Sequence, residues 1–204
     1  MDTTEQKVDG RHERLERSKL AVLQAVNDIV RETGEAPTAD TLAKRSGVSR
    51  RSIFRLFGSK AGLLKAAAEF TYGQIRERFP IPDFSAADAP ERVSKFVEHL
   101  SSIYEYITPF RRVSERNPQD EELIERERER IEALYESQLR QAFAELGGAG
   151  RRPNPTLRDT IQALVSWNTW NYLRNEQHHA IEYARTILTQ AILALLQQHG
   201  VIGK

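Results

Sequence analysis

The sequence predicts an all-α protein of about nine helices, arranged as a small N-terminal domain followed by a larger C-terminal one. Apolar residues recur at three- and four-residue spacing along the whole chain, and runs of β-branched residues with period-two alternation are absent. Proline and glycine divide this pattern into segments of helical length. A chain of 204 residues is also long enough to bury a sizeable core.

The composition excludes several classes of protein. No run of about 18 apolar residues exists, so we expect no membrane-spanning helix. The first ten residues are polar and lack the apolar region of a secretory signal. The chain has no cysteine, which excludes disulfides, thiol catalysis, iron–sulfur clusters and cysteine-ligated zinc fingers. We therefore expect a soluble, cytoplasmic protein.

Four helices are predicted in the N-terminal part of the chain, over residues 14–32, 39–46, 50–56 and 59–79. Gly34 is a candidate C-cap for the first helix because glycine adopts positive φ without strain. Thr38, Ser49 and Ser59 are candidate N-caps for the next three, since a hydroxyl can accept a hydrogen bond from the first helical turn. The prolines at 80 and 82 end the fourth helix.

Four longer helices are predicted in the rest of the chain, over residues 90–107, 119–146, 156–174 and 180–199. Pro109 and Pro118 bracket a short turn or helix that contains Phe110 and Val113. Residues 147–155, rich in glycine and proline, are the clearest loop.

Residues 38–56 carry the strongest functional signal, because two short helices joined by a four-residue turn have the form of a DNA-binding helix-turn-helix. Gly47 supplies the positive φ that the turn needs, and Val48 can attach the turn to the core. The second helix exposes arginines on its first turn, the part that enters the major groove. Arginine can pair bidentately with guanine edges or with phosphate.

The distribution of charge supports a polyanionic partner. The whole chain carries a formal net charge of only +1, but residues 40–65 contain seven lysines and arginines against one aspartate. A basic patch confined to one part of a chain is typical of nucleic-acid binding. A second basic group, Arg11, His12, Arg14 and Arg17, opens the first helix. It predicts either a DNA-contacting arm or solvated helix surface.

The stretch from Thr38 to Leu64 resembles the signature of the tetracycline-repressor (TetR) family of bacterial regulators. The resemblance covers residues 20–68, and its motif elements are matched at Thr38, Ala43, Gly47, Val48, Ser49, Phe54, Phe57, Ser59, Lys60, Leu63 and Leu64. It implies a DNA-binding domain over residues 11–58 and a larger helical domain over residues 59–204 for effector binding and dimerisation. Helix four, residues 59–79, would be the connector.

The resemblance also implies roles for individual residues. Phosphate-contacting groups fall on Thr38, Ser49 and Lys60, and base-reading groups fall on Arg50, Arg51, Ser52 and Arg55. Two positions depart from the family pattern. Phe54, which belongs to the DNA-binding set, stands where a tyrosine often donates to a phosphate, and a phenylalanine cannot donate. Leu56 stands where histidine or tyrosine is common.

A homodimer and a ligand pocket are implied for the larger domain. The last predicted helix is apolar almost all round, so a second copy of the chain is the simplest cover for it. Candidate interface residues are Leu164, Tyr172, Leu188, Ile192 and Leu195. Candidate residues for a pocket that takes a small apolar or aromatic effector are Phe96, Tyr104, Phe110, Tyr135, Trp167, Asn168 and Asn171.

The sequence gives little support to an enzyme. Glu176 and His179 form one Glu-x-x-His pair, whereas a di-iron bundle needs two. Phosphate-binding, dinucleotide-binding and nucleophile-elbow motifs are absent. We expect no metal or cofactor, and a homodimeric repressor released from a near-palindromic DNA operator by a small ligand. The alternatives are a DNA-binding regulator with a closed, ligand-free larger domain, and an activator.

Overall fold

The computed structural model describes residues 3–85, 88–116, 121–143 and 154–202. Within these ranges the chain is helical and contains no β-strand, which confirms the predicted all-α fold. No helix in this part of the chain combines the length and the apolar character needed to cross a membrane. The elements are α1 (Thr3–Thr33), α2 (Ala39–Ser46), α3 (Arg50–Phe57), α4 (Lys60–Arg78), α5 (Ala89–Glu115), α6 (Glu121–Ala142), α7 (Pro155–Leu164), α8 (Trp167–Asn171), a π-helical turn (Tyr172–Glu176) and α9 (Ile181–Gln198).

The chain forms two compact units. The first unit comprises Met1–Glu77 and Pro109–Glu125, and the second comprises Arg78–Thr108 and Arg126–Lys204. The first unit is therefore discontinuous, because a segment near the middle of the sequence joins the N-terminal helices. The predicted boundary at residues 58 and 59 divides the chain by function and not by compactness, and it stays a prediction.

The core of the first unit joins the first four helices. Its buried residues are Val22, Ala25, Val26, Val30, Leu42, Ile53 and Ala67. Val48, Phe57 and Leu63 pack against this core while half-buried, and so do Phe110 and Val113 from the end of α5. These last two side chains explain why the segment after Pro109 belongs to the first unit.

A buried hydrogen bond links α4 to α1 inside the first unit. The Thr71 hydroxyl lies 2.9 Å from Oδ1 of Asn27 and 2.8 Å from the carbonyl oxygen of Ala67, and it donates its proton between these two acceptors. Both Asn27 and Thr71 are buried. A buried polar group that loses its partner carries the full cost of desolvation, so this bond holds α4 in one position on α1.

The predicted helix break at Pro109 is wrong, because α5 runs without interruption from Ala89 to Glu115. Proline removes one backbone hydrogen bond from a helix interior, at a cost of about 3 kcal/mol. Burial on both sides of the proline offsets this cost: Ile107 is buried in the second unit, and Phe110 packs in the first. The Thr108 hydroxyl also donates to the carbonyl oxygen of Tyr104, at 2.6 Å.

The predicted single helix over residues 156–174 is also wrong. α7 ends at Leu164, and α8 begins after Ser166, whose hydroxyl accepts a hydrogen bond from the backbone of Thr169. The buried Tyr104 hydroxyl donates to the carbonyl oxygen of Val165, at 2.5 Å. This carbonyl therefore has a partner from another helix at the point where the local helix is interrupted.

The last helix buries one stripe of its surface within the chain. Ala184, Leu188, Ile192 and Leu196 recur every four residues on α9, and all four are buried. Leu188 and Ile192 therefore lie in the core of the second unit, and the prediction that they face a second copy of the chain is wrong. A strongly apolar helix is covered here partly by its own chain, which its composition alone did not reveal.

Aromatic pairs join α5 to α6 in the second unit. The rings of Phe96 and Phe143 meet edge to face with centroids 5.4 Å apart, and those of Tyr104 and Tyr135 do so at 5.3 Å. These pairs run along two antiparallel helices. Phe143 directly follows the end of α6, and each edge-to-face pair contributes about 0.5–1.5 kcal/mol beyond the burial of its rings.

In the second unit, His99 and Gln138 each bury a polar atom that has no hydrogen-bond partner among the described residues. These atoms are Nε2 of His99 and Oε1 of Gln138. Gln138 is 1% exposed and His99 is 7% exposed. Burial lowers the pKa of His99 from its ordinary value of 6.5, because the charged imidazolium is poorly solvated there. Unsatisfied buried groups are rare in folded proteins, so each one calls for a physical explanation.

We expect the Thr71→Val variant to lose about 1–3 kcal/mol in its free energy of unfolding, because Val leaves Asn27 without its buried donor. Urea denaturation measures the loss. Thr71→Ser is the matched control, since it keeps the hydroxyl and removes one methyl, which costs about 0.8 kcal/mol. A Val variant no less stable than the Ser variant would show that the hydrogen bond contributes nothing.

We expect His99 to lower the free energy of unfolding at acidic pH. Its folded-state pKa is depressed, so as the pH falls below about 6.5 the unfolded chain takes up a proton before the folded chain does. Above that pH both states are neutral and His99 contributes no pH dependence. The wild type should therefore lose more stability between about pH 7.5 and 5.5 than the His99→Leu variant. Equal losses would contradict this assignment.

Candidate nucleic-acid interface

The helix-turn-helix begins with a side-chain cap. Thr38 has extended backbone angles, and its hydroxyl oxygen accepts a hydrogen bond from the backbone N–H of Thr41, at 3.2 Å. The cap satisfies one of the N–H groups left open at the start of α2. The predicted N-cap role of Thr38 is confirmed, and its exposed side chain stands at the position where the sequence predicts a phosphate contact.

The turn between α2 and α3 depends on Gly47 and on a side chain that sequence reasoning missed. Gly47 has φ of +70°, as predicted, and its N–H donates to the carbonyl oxygen of Ala43, at 3.1 Å. The Ser46 hydroxyl donates to the carbonyl oxygen of Leu42 at 2.7 Å and accepts from the N–H of Val48 at 3.2 Å. Ser46 thus joins the end of α2 to the turn, and Val48 packs against the core.

The second helix of the helix-turn-helix, α3, has a buried side and a basic side. Ser49 caps it by accepting from the N–H of Ser52, at 3.3 Å, which confirms the predicted cap. Ile53 is buried in the core of the first unit. The exposed residues are Arg50, Arg51, Phe54 and Arg55. At 100° of rotation per residue these four occupy an arc of about 140°, so they form one face.

One of the four exposed residues already has an ionic partner. Nη1 of Arg50 lies 3.1 Å from a carboxylate oxygen of Asp40 on α2, and both side chains are well exposed. An exposed ion pair of this kind contributes about 0–1 kcal/mol, so a DNA base or phosphate can replace the carboxylate at small cost. Asp40 therefore orients Arg50 before binding without locking it.

The start of α4 places Lys60 beside the recognition helix in sequence and in structure. The Ser59 hydroxyl accepts a hydrogen bond from the N–H of Gly62, at 3.0 Å, which confirms the predicted cap. Lys60 is exposed on the first turn of the helix. A helix N-terminus favours an anion because its N–H groups point outward. The position is therefore suited to a phosphate.

Gly62 is a second residue that sequence reasoning missed. A Cβ atom added at this position would stand 2.1 Å from the carbonyl oxygen of Phe57, the last residue of α3. The first turn of α4 thus passes too close to the end of α3 for any side chain at position 62. The only sequence signal is a glycine in the first turn of a helix, where glycine lowers helix stability.

The basic residues at the start of the chain lie on the surface of α1. This helix begins at Thr3, well before the predicted start at residue 14. No proline precedes residue 37 to stop it. Arg11, His12, Arg14 and Arg17 are all exposed. They are helical, which excludes an extended arm at these four positions.

The predicted pocket residues do not form one group. Phe96, Tyr104 and Trp167 are buried in the second unit, and Tyr135 is half-buried there. The Trp167 indole donates to the Thr108 hydroxyl, at 3.0 Å. Phe110 packs against the core of the first unit, and its assignment to the pocket stays a prediction.

The two asparagines predicted to orient a ligand lie nearer the surface. Asn168 is exposed, and the half-buried Asn171 accepts a hydrogen bond from the side-chain amide of Asn175, at 2.9 Å. His99 and Gln138, which bury polar atoms without a partner among the described residues, were not singled out by the sequence. In the part of the chain that the structure describes, no group of three His, Asp or Glu residues could hold a metal ion.

Among the predicted interface residues, Tyr172 is 47% exposed and Leu164 and Leu195 are half-buried. Leu188 and Ile192 are buried, as described above. A further aromatic residue that the prediction omitted, Tyr183, is 57% exposed on α9. Exposed aromatic side chains of this size are common at interfaces between proteins.

We expect Gly62→Ala to destabilise the first unit by about 1–3 kcal/mol, because the added methyl forces α4 away from the end of α3. Gly73→Ala is the matched control. It lies in the same helix with no atom within 4 Å of the added Cβ, so it should gain about 0.5–1 kcal/mol. Urea denaturation compares the two variants, and a Gly62→Ala variant as stable as the wild type would contradict the close approach.

Comparison with known proteins agrees with this geometry. Residues 31–67 match the family described as bacterial regulatory proteins, tetR family. The match covers α2, the turn, α3 and the first turns of α4. A crystal structure from Rhodococcus sp., assigned to the TetR family of transcriptional regulators, has a TM-score of 0.62 and 20% sequence identity. The alignment covers 88% of this chain and 99% of that one. No curated protein shows significant similarity to the chain.

The family match lies on the helix-turn-helix described above, and the likeness to the Rhodococcus structure extends the same fold over most of the chain. Residues 31–67 of this chain are therefore similar to the bacterial regulatory proteins of the tetR family, and over most of its length the chain shares the fold of the Rhodococcus structure.

Proposed function

We propose that this chain is a DNA-binding transcriptional regulator of the TetR family. As a homodimeric repressor it reads a near-palindromic operator and is released from it by a small apolar or aromatic ligand. The observation that carries the proposal is the exposed face of α3, where three arginines stand on one side of a helix whose other side is buried at Ile53. Residues 11–58 bind DNA, and residues 59–204 bind the ligand and form the dimer. Helix α4 connects the two functions.

The DNA contacts divide into two kinds. Arg50, Arg51 and Arg55 read base edges, since arginine pairs bidentately with guanine, and Ser52 lies beside them. Thr38, Ser49 and Lys60 contact phosphates, which sets the register without reading sequence.

The capping role of Ser49 is compatible with its phosphate contact. Its oxygen accepts from the N–H of Ser52, and its proton goes to the Ser52 hydroxyl, at 3.0 Å. The proton can turn to a phosphate oxygen while the cap stays in place, because a hydroxyl is both donor and acceptor.

Dimerisation is supported by the exposed aromatic side chains at the end of the chain. Tyr172 and Tyr183 are about half exposed, and Leu164 and Leu195 are half-buried. A two-fold dimer presents two recognition helices to successive major grooves, about 34–36 Å apart. The operator is therefore expected to be an inverted repeat with half-sites about one helical turn apart.

Selection of bound duplexes from a random DNA pool tests the reading of DNA. We expect an enriched inverted repeat for the wild type and relaxed base preference for Arg51→Ala. Lys60→Ala should instead weaken binding to all duplexes and reduce the salt slope of the dimer by about two, since it removes one phosphate contact in each half-site.

Lys95→Ala is the charge-matched control for these variants. Lys95 pairs with Glu91 on α5 in the second unit, so its loss should leave base preference and salt slope unchanged. Binding without any enriched sequence would contradict the proposed operator. A Lys60 variant indistinguishable from the Lys95 variant would contradict the phosphate contact.

Ligand control is supported by the polar groups buried without a partner in the second unit. Gln138 is 1% exposed, and its carbonyl oxygen has no donor among the described residues. It lies on α6 between Tyr135 and Phe143, whose rings pair with α5. A ligand with an aromatic or apolar body and one hydrogen-bond donor satisfies this oxygen. A coupling of about 1–3 kcal/mol is enough to lower operator affinity 5- to 150-fold.

The Gln138→Leu variant tests this assignment. Without ligand it should be more stable than the wild type by about 1–3 kcal/mol, because an unsatisfied buried acceptor is replaced by an apolar group of similar size. Gln141→Leu is the control: Gln141 is exposed on the same helix, and its replacement should change stability by less than about 0.5 kcal/mol.

Compounds that differ only by one hydrogen-bond donor then probe release of the operator. The compound that carries the donor should release the wild type from the operator more readily than the compound without it. The two compounds should act equally on the Gln138→Leu variant. A variant that is no more stable, or one that still discriminates the donor, would contradict a ligand site at Gln138.

A further inference from the structure

Phe54 is an exposed phenylalanine in the middle of a basic surface. Its side chain is 54% exposed, whereas Ile53 beside it is buried and Phe57 one turn later is half-buried. Because residues three and four apart are neighbours on a helix, Phe54 lies next to both Arg50 and Arg51. The core of the first unit therefore does not use the Phe54 ring, and the ring stands on the face that meets DNA.

The chemistry of the ring restricts what it can contact. A phenyl group neither donates nor accepts a conventional hydrogen bond, so it cannot hold a phosphate or pair with the polar edge of a base. The major groove presents one apolar group on its base edges, the C5-methyl of thymine. A ring carried into that groove by α3 has this methyl as its complementary partner.

We infer that Phe54 reads a thymine methyl in each operator half-site. The inference rests on the proposed DNA reading by α3 and adds the chemical class of one base that α3 recognises. The ring excludes water from the methyl group, and the flanking arginines are attracted to the phosphates and to guanine edges around it.

Helix geometry also places the thymine relative to the bases that the arginines read. Arg50 and Phe54 are four residues apart, and one helical turn spans about 5.4 Å. Base pairs stack about 3.4 Å apart, so a helix lying along the groove advances about one to two base pairs per turn. The thymine is therefore expected within about two base pairs of a guanine read by Arg50 or Arg51.

Replacement of thymine by deoxyuridine in the selected operator tests the inference, because it removes the methyl and nothing else. The operator is prepared with uracil at one thymine position at a time, symmetrically in both half-sites, and its affinity is measured for the wild type and for Phe54→Ala. Burial of one methyl contributes about 0.8 kcal/mol. The wild type should therefore lose about fourfold per half-site and about 15-fold for both at one position.

The Phe54→Ala variant should bind the thymine and uracil operators equally at that position. Phe54 is exposed, so the variant is expected to fold, and its urea denaturation checks that. Arg51→Ala is the comparison variant: it should bind more weakly overall but keep the penalty for uracil, since its ring at position 54 is intact.

The outcomes separate this inference from the proposed function. If no duplex is enriched, sequence-specific reading fails, and the inference fails with it. If an operator is found but contains no thymine within two base pairs of a guanine, the inference alone is overturned. It is also overturned if uracil leaves wild-type affinity unchanged at every position, or if the uracil penalty persists in Phe54→Ala. A penalty at one position that vanishes only in Phe54→Ala supports it.

Discussion

The burial of Ile53 is the interaction on which the exposed basic face of α3 depends. α3 has only eight residues, and a helix of this length is unstable in water by itself. It persists because Ile53 is buried in the core that α1 and Leu42 of α2 also form, and this burial contributes about 1.5–3 kcal/mol. The arginines on the opposite face are therefore held in a common orientation by contacts that none of them makes.

The helix-turn-helix was predictable because its helix caps and its turn depend on residues that are close in sequence. The caps at Thr38, Ser49 and Ser59 and the positive φ of Gly47 follow from residues within one helical turn of each other. Such short-range hydrogen bonds depend on residue type and spacing, both of which a single sequence contains. The close approach at Gly62 was not predictable in this way, because it depends on where a preceding helix ends.

Long-range contacts explain where the predictions failed. The break after Leu164 accompanies a hydrogen bond from Tyr104 to the carbonyl oxygen of Val165, sixty-one residues later, and no local pattern contains that partner. α5 continues through Pro109 because apolar groups on both sides of it are buried. Leu188 and Ile192 were assigned to a surface because periodicity identifies an apolar stripe but not which chain covers it.

The discontinuity of the first unit bears on which segments of this chain can be exchanged by recombination. A simple crossover after residue 58 or 77 would transfer the helix-turn-helix without Phe110 and Val113, which pack against its core from the end of α5. A chimera made by one crossover inherits these two positions from the other parent, so its core contains side chains that were not selected together. A double crossover that carries residues 109–125 as well transfers the whole first unit with its core intact.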